Sequence, residues 1–272
     1  MTRTILLAAC ALIAACSGGA SEATTAPAAR KAAPAPAAAA RASAAPAAGK
    51  ASTVEEATSL YEFDYSYPGE AARIPALRAA LDAERDKLRR ELVEEATGGR
   101  DQAREAGFDY HPYATGVGWQ KVTETPRFLS LSAQVYSFTG GAHPNHGFDS
   151  LVWDKTADAR LDPVAVFASA AAFDGAVQQR FCAALDKQRG ERRGEPVNRA
   201  SGDPFDACIA PSEQTVILGS SNGRTIDRVG ILVAPYAAGP YVEGDYEVTV
   251  PVDRALLAAV RPAYREAFAA GR

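Results

Sequence analysis

Three histidines and four cysteines are all that 272 residues supply, and none of the cysteines belongs to a C-x-x-C pair. The usual redox and thiolate-metal motifs are therefore missing. Basic excess is missing too. Lys and Arg number 29 against 33 Asp and Glu, a net charge of -4 that sets aside a general nucleic-acid binder. No apolar run reaches the ~20 residues of a conventional membrane-spanning helix. A Gly-rich phosphate loop and a pair of catalytic carboxylates are likewise absent, so the residues point to no enzyme class and no cofactor is expected.

What the chain does have is unevenly placed: alanine crowds the first fifth, and nearly all the aromatics follow Tyr61. Arg3 precedes an apolar run, Ile5 to Ala15, that ends at Cys16. This reads as a secretory signal. Ile13-Ala14-Ala15-Cys16 resembles the bacterial lipobox, in which the cysteine is acylated and becomes the first residue of the mature protein. Leu7-Ala8-Ala9-Cys10 is a rival, but cleavage there would leave an apolar stretch of only about five residues, below the usual 7 to 15. An ordinary cleaved signal peptide is the other reading; the abrupt change to Ser17-Gly18-Gly19 suits lipidation better. Ser17 after the cysteine implies, by resemblance to Gram-negative lipoproteins, an outer-membrane location facing the periplasm. The membrane is thus an expected partner, reached through lipid on Cys16.

Residues 16–52 are mostly Ala, with Pro27, Pro34, Pro36 and Pro46 interrupting any helix. They read as a disordered tether. Arg30, Lys31, Arg41 and Lys50 outweigh Glu22 there, so the body, residues 53–272, carries about -8.

The body reads as α+β, a mostly antiparallel sheet with helices packed on one face, with subdomains at about 53–135 and 136–272. Tyr61, Phe63, Tyr65 and Tyr67 alternate with polar residues, which puts an aromatic face on one side of a strand. Leu77, Leu81, Leu88 and Leu92 form a helical stripe opposite a charged face, with Asp86 and Arg90 as an i,i+4 pair, and Gly98-Gly99 predicts its end. Strands are predicted near 119–124, 128–138, 148–154, 215–220, 225–234 and 246–250. Phe173, Val177, Phe181 and Leu185 mark a second helix, and 254–269 a third.

Two stretches carry a recognisable pattern. One runs from Tyr136 through Gly140-Gly141-Ala142-His143-Pro144-Asn145 to the phrase 161–167; the other is Val233-Ala234-Pro235-Tyr236 through Pro240-Tyr241 to Gly244. Together they resemble the paired bacterial domains of unknown function found in the ectodomain of the lysozyme-sensing anti-sigma factor RsiV and beside the catalytic domain of the peptidoglycan deacetylase PdaC. The resemblance covers about 61–268. It implies an extracytoplasmic α+β module that binds a partner at its surface. The chain has neither a sigma-binding region nor room for a deacetylase domain, so only the accessory module is expected.

His143 and His146, with Asp149 nearby and His111 the only other histidine, could serve as zinc donors. The preferred reading is a loop in which Gly140-Gly141 and Pro144-Asn145 turn the chain and His143 bonds the loop backbone, without metal. Gly219-Ser220-Ser221-Asn222-Gly223 matches the G-x-S-x-G pattern of serine hydrolases, but the β-branched run that follows is not the helix a nucleophile elbow needs. Asn222-Gly223 instead predicts a two-residue hairpin. Cys182 and Cys208 remain as an even pair in an oxidising compartment and are expected to form a disulfide. Tyr236 and Tyr241 could stack on sugar rings or a partner's side chains, or simply pack at strand ends. The expectation is a non-enzymatic lipoprotein that binds a cationic protein or a peptidoglycan component through His143, Asn145, His146, Tyr236 and Tyr241. The runner-up is an envelope enzyme or accessory subunit acting on peptidoglycan with the His143 loop at its site.

Overall fold

A computed structural model describes residues 49–271. The signal run, Cys10, Cys16 and the tether up to residue 48 lie outside the described residues. Two strands open the body, β1 (Ser52–Ala57) and β2 (Tyr61–Tyr67), followed by a single-turn helix α1 (Gly69–Ala72) and the long helix α2 (Pro75–Ala106). Then come β3 (Tyr113–Glu124), β4 (Phe128–Phe138), β5 (Asn145–Asp154) and β6 (Ala159–Leu161). These six strands form one sheet in sequence order. All neighbours are antiparallel except β2 and β3, which α2 connects in parallel as a crossover. Helix α3 (Ala170–Arg193) precedes a second, antiparallel sheet of β7 (Thr215–Gly219), β8 (Arg228–Val233) and β9 (Tyr246–Pro251), and α4 (Arg254–Ala259) follows. The α+β class stands, with its strands divided between two sheets.

The period-two pattern of β2 works as the sequence implies. Tyr61, Phe63, Tyr65 and Tyr67 are buried under α2 with Leu77, Leu81 and Leu92, while Glu62 and Asp64 face out. Buried phenols need partners for their hydroxyls, and the acidic face of α2 supplies them. Tyr67 donates to Asp82 at 2.9 Å, and Tyr65 to Glu84 at 3.0 Å. Burial, followed by the charge on Glu84, pushes the Tyr65 hydroxyl well above its ordinary pKa. The charged face is thus partly structural. Its i,i+4 pair is Lys87 with Glu91 at 3.6 Å, while Asp86 turns to Arg85 at 2.8 Å.

Strand β4 explains how two cores share one body. Leu129, Leu131 and Ala133 point into the core beneath α2, whereas Phe128 belongs to the core of the second sheet and α3, and the Ser130 hydroxyl accepts the Leu218 N–H at 3.3 Å. In β5, Leu151 and Trp153 go to the first core and Val152 to the second. A strand buried on both faces loses its alternation. The cores are therefore separated by the faces of β4 and β5, and positions 135 and 136, where the sequence suggested a subdomain division, lie within one continuous strand.

Three local expectations are corrected. Helix α2 continues through Gly98-Gly99 and ends at Gly107, whose φ of 74° suits a left-handed C-cap. Gly99 is there for space, because a Cβ at that position would collide with the Tyr113 ring. The third helix breaks after Ala259, and Pro262 starts a separate 3-10 segment, Pro262–Ala267. Asn222-Gly223 is not a two-residue hairpin: β7 and β8 pair from Gly219 and Arg228, leaving an eight-residue loop in which the Asn222 side-chain Oδ1 accepts the Arg224 and Thr225 N–H groups.

Candidate functional site

The β4–β5 hairpin positions the first half of the site. Its register sets Tyr136 opposite His146 and Ser137 opposite Asn145, and Thr139 to Pro144 close the turn. The β8–β9 connection supplies the second half: Tyr236 lies early in it, and the 3-10 turn Tyr241–Glu243 lies near its end. The two loops meet. The Tyr241 ring stacks on His143, with centroids 4.2 Å apart at 23°, and its hydroxyl donates to the Pro144 carbonyl at 3.0 Å. His146 meets the same ring edge-on at 5.9 Å, and Tyr236 lies 5.6 Å away. His143, His146, Tyr236 and Tyr241 therefore form one aromatic cluster, beside Asn145.

Each histidine has a defined neighbour. His143 Nδ1 lies 2.9 Å from the Pro144 carbonyl, the loop-backbone bond that the sequence suggested. His146 Nε2 lies 2.7 Å from Asp245 Oδ1. Asp149 is turned elsewhere, 3.8 Å from Arg160, and burial raises its carboxyl's pKa. Among the described residues no group of three or more His, Cys, Asp or Glu side chains is placed to hold a metal ion. Tyr236 has a φ of 68°, an unusual backbone state for a bulky residue. Its half-exposed ring projects from a loop whose base is held firmly.

That base is Glu243. Its carboxylate accepts from Arg193 at 2.9 and 3.1 Å and from the Tyr246 hydroxyl, and it lies where a Cβ on Gly239 would collide. Burial alone would raise its pKa. The Arg193 and Tyr246 hydrogen bonds and the charges of Arg193 and Arg189 outweigh burial and hold it below the ordinary carboxylate value. Glu243 lies within the phrase that ends at Gly244 and Asp245 directly follows it, yet the local pattern marks neither as a site residue; the same holds for Tyr136, which opens the other phrase. Cross-strand pairing places Glu55, Asp64, Gly116, Tyr136 and His146 in one row across the face of the sheet opposite α2. Burial, then the charges of Glu62 and Tyr241, raises the Tyr136 hydroxyl's pKa. The aromatic cluster is thus continuous with an acidic strip of Glu55, Glu62 and Asp64, where burial and like charge push the Asp64 carboxyl up.

Ser221 lies apart from these histidines. Its hydroxyl and N–H both bond Asp227, which fastens the loop before β8. Cys182 and Cys208 form the expected disulfide, joining α3 to the segment before β7.

Residues 54–146 match the family model described as deacetylase PdaC, over about a third of the chain. The match runs from β1 to the His143 loop and bears out the family resemblance that the sequence carries. Among solved structures, the chain is similar to a member of the DUF3298 family from Bacteroides fragilis. Identity is 16%, the alignment covers 74% of this chain and 88% of that one, and the TM-score is 0.47. A DUF3298 family protein from Pseudomonas aeruginosa PAO1 is 15% identical, with 82% and 97% coverage and a TM-score of 0.44. No curated protein matches the chain.

Proposed function

We propose that this chain, which carries a PdaC-family segment at residues 54–146, is a lipid-anchored envelope protein whose body binds a partner without turning it over. One observation carries the reading. Two sequence phrases almost 100 positions apart build a single exposed aromatic cluster, through Tyr241 and Pro144, beside an acidic strip. Rigid aromatic rings next to unbalanced negative charge suit a cationic protein surface or the sugars of peptidoglycan. A small basic protein such as a lysozyme-like hydrolase is the favoured partner, and anchoring through acylated Cys16 to the outer membrane would hold the site in the periplasm.

The test uses the Cys16→Ser protein, lysozyme and muropeptides, with binding followed by calorimetry and products by chromatography. Tyr241→Ala is expected to weaken lysozyme or muropeptide binding about thirtyfold, the loss of one central anchor of about 2 kcal/mol. Tyr241→Phe, which keeps the ring and loses only the bond to Pro144, should retain most of the affinity. No complex with either ligand counts against the binding reading. The anchor has its own expected outcome: native protein sediments with membranes and Cys16→Ser does not. Several acyl chains, at about 0.8 kcal/mol per buried CH₂, give stable attachment. Continued membrane association of Cys16→Ser would refute acylation there.

An envelope enzyme is the second reading, and the His146–Asp245 pair is what favours it. A carboxylate that orients a histidine is the arrangement of a general base. Muropeptide turnover lost in His146→Ala and His143→Ala would put this reading first.

A further inference from the structure

Large apolar side chains left in water carry information when they gather in one place. Among the described residues they are Phe108, Tyr136, Tyr236 and Val242, exposed by 74%, 43%, 53% and 90%. Tyr136, Tyr236 and Val242 all adjoin Tyr241. Phe108 comes from elsewhere in the chain, just past the end of α2, yet the fold carries it to the same end of the body. Helix α2 leaves the Tyr67 end of β2 and returns at Tyr113, which pairs with Tyr61. Next to Tyr113, Ala114 pairs with Phe138, the last residue of β4 before the His143 loop. The approach is close, since a Cβ on Gly140 would lie 3.6 Å from the Tyr113 ring.

Helix capping accounts for the backbone at Phe108 but not for its ring. The Gly107 N–H donates to the Arg104 carbonyl at 3.3 Å and the Phe108 N–H to the Ala103 carbonyl at 2.9 Å, the paired bonds of a Schellman motif. In that motif an apolar residue after the glycine commonly packs back onto the last turn. Phe108 instead leaves most of its surface in water. Nor is its support loose. The Tyr110 hydroxyl donates to the Leu60 carbonyl at 2.7 Å and accepts the Tyr113 N–H at 3.3 Å, and the two tyrosine rings lie 5.5 Å apart. A ring presented on a braced loop binds at a smaller ordering cost. Exposed carboxylates accompany it: Asp109 next in the chain, and Glu62, which pairs with Ala114. From β2 to β5 is three strand spacings, about 14 Å, inside the breadth of about 30 Å that an interface of about 800 Å² per partner covers.

We propose that the partner-binding surface extends across this end of the first sheet to Phe108, a second anchor for a protein that presents an apolar pocket within a basic surface. The inference rests on the partner reading and adds a contact to it. The test is calorimetry of lysozyme with the full-length Cys16→Ser protein and its Phe108→Ala and Phe108→Tyr variants, with the melting temperature of each. Phe108→Ala should weaken the complex about tenfold at an unchanged melting temperature, and Phe108→Tyr, which keeps the ring, should retain most of the affinity. The losses from Phe108→Ala and Tyr241→Ala should multiply in the double variant, as for separated contacts with one partner. A complex weakened by Tyr241→Ala but indifferent to Phe108→Ala would overturn this inference and leave the partner reading standing; no complex at all would overturn both. A lowered melting temperature in Phe108→Ala would make the ring structural, and a dimer of the chain that Phe108→Ala dissociates would put a second copy on this surface; either result overturns the proposal.

Discussion

Serine at both Cys182 and Cys208 is expected to lower the stability of the body by about 3.5 kcal/mol, from the chain entropy of a loop of about 27 residues. For a body of this size that corresponds to a melting temperature lower by about 7 to 14 °C. The bridge carries this much because little else orders the segment it closes. Between α3 and β7 the chain forms only two three-residue 3-10 turns, Pro204–Asp206 and Pro211–Glu213. The consequence reaches the aromatic cluster. Arg189, fully buried, donates to the Ala207 carbonyl next to Cys208 at 2.9 Å and to the Ala238 carbonyl at 2.8 Å. Arg193 binds Asp206 at 2.7 Å on one side and Glu243 on the other. The disulfide therefore braces two arginines that hold the Tyr236–Tyr241 loop. Thermal unfolding by circular dichroism, with and without reductant, is the check. Reduced wild type should melt with the double-serine protein, and a melting temperature indifferent to reductant would contradict the bridge.

Glu243→Ala is expected to cost about 2 to 3 kcal/mol, at or just under the range for breaking a buried ion pair, because the pair is only largely buried and Arg193 keeps Asp206 as a partner. Binding at the cluster should fall with it, since Glu243 sits two residues from Tyr241 and sets the turn that carries the ring. The same carboxylate makes stability depend on pH. Its pKa is lower folded than unfolded, so its contribution is complete above about 4.3, the unfolded glutamate value. As the pH falls through the lower folded value, that contribution disappears. Asp154 acts in the same direction: burial opposes its ionisation, but Arg127 at 2.8 Å and the Thr156 and Ala157 N–H groups outweigh burial and hold its pKa down. Wild type should lose stability steeply below pH 4, and Glu243→Ala less steeply. Equal slopes in urea melts at pH 3 and pH 5 would show that Glu243 is not ionised against Arg193.

Much of the body was legible because its signals are local. The alternation from Tyr61 to Tyr67 and the stripe from Leu77 to Leu92 are imposed by the geometry of a strand and a helix, and any fold that uses them must bury those faces. Strand β4 was found at its bounds, and the cysteine pair was reached by elimination. The failures share one cause. Gly98-Gly99 looked like a helix end because a glycine pair usually frees the backbone, but here Gly99 makes room for Tyr113, whose approach depends on the following strand's return beneath α2. Asn222-Gly223 looked like a tight turn, yet Asp227 holds Ser221 and stretches the connection to eight residues.

The site followed the same division. His143, Asn145, His146, Tyr236 and Tyr241 could be named one at a time from their neighbours in the chain, as could the chemistry of a ring or an imidazole. That Tyr241 stacks on His143, that Glu243 is pinned by an arginine 50 positions earlier, and that Tyr136 joins an acidic row are properties of the sheet registers and of the two loops meeting. Periodicity over a few residues specifies which face is buried, because it follows from bond geometry. What covers that face, and which distant loop arrives beside it, is settled by packing among elements far apart in the chain, for which the local pattern carries no record.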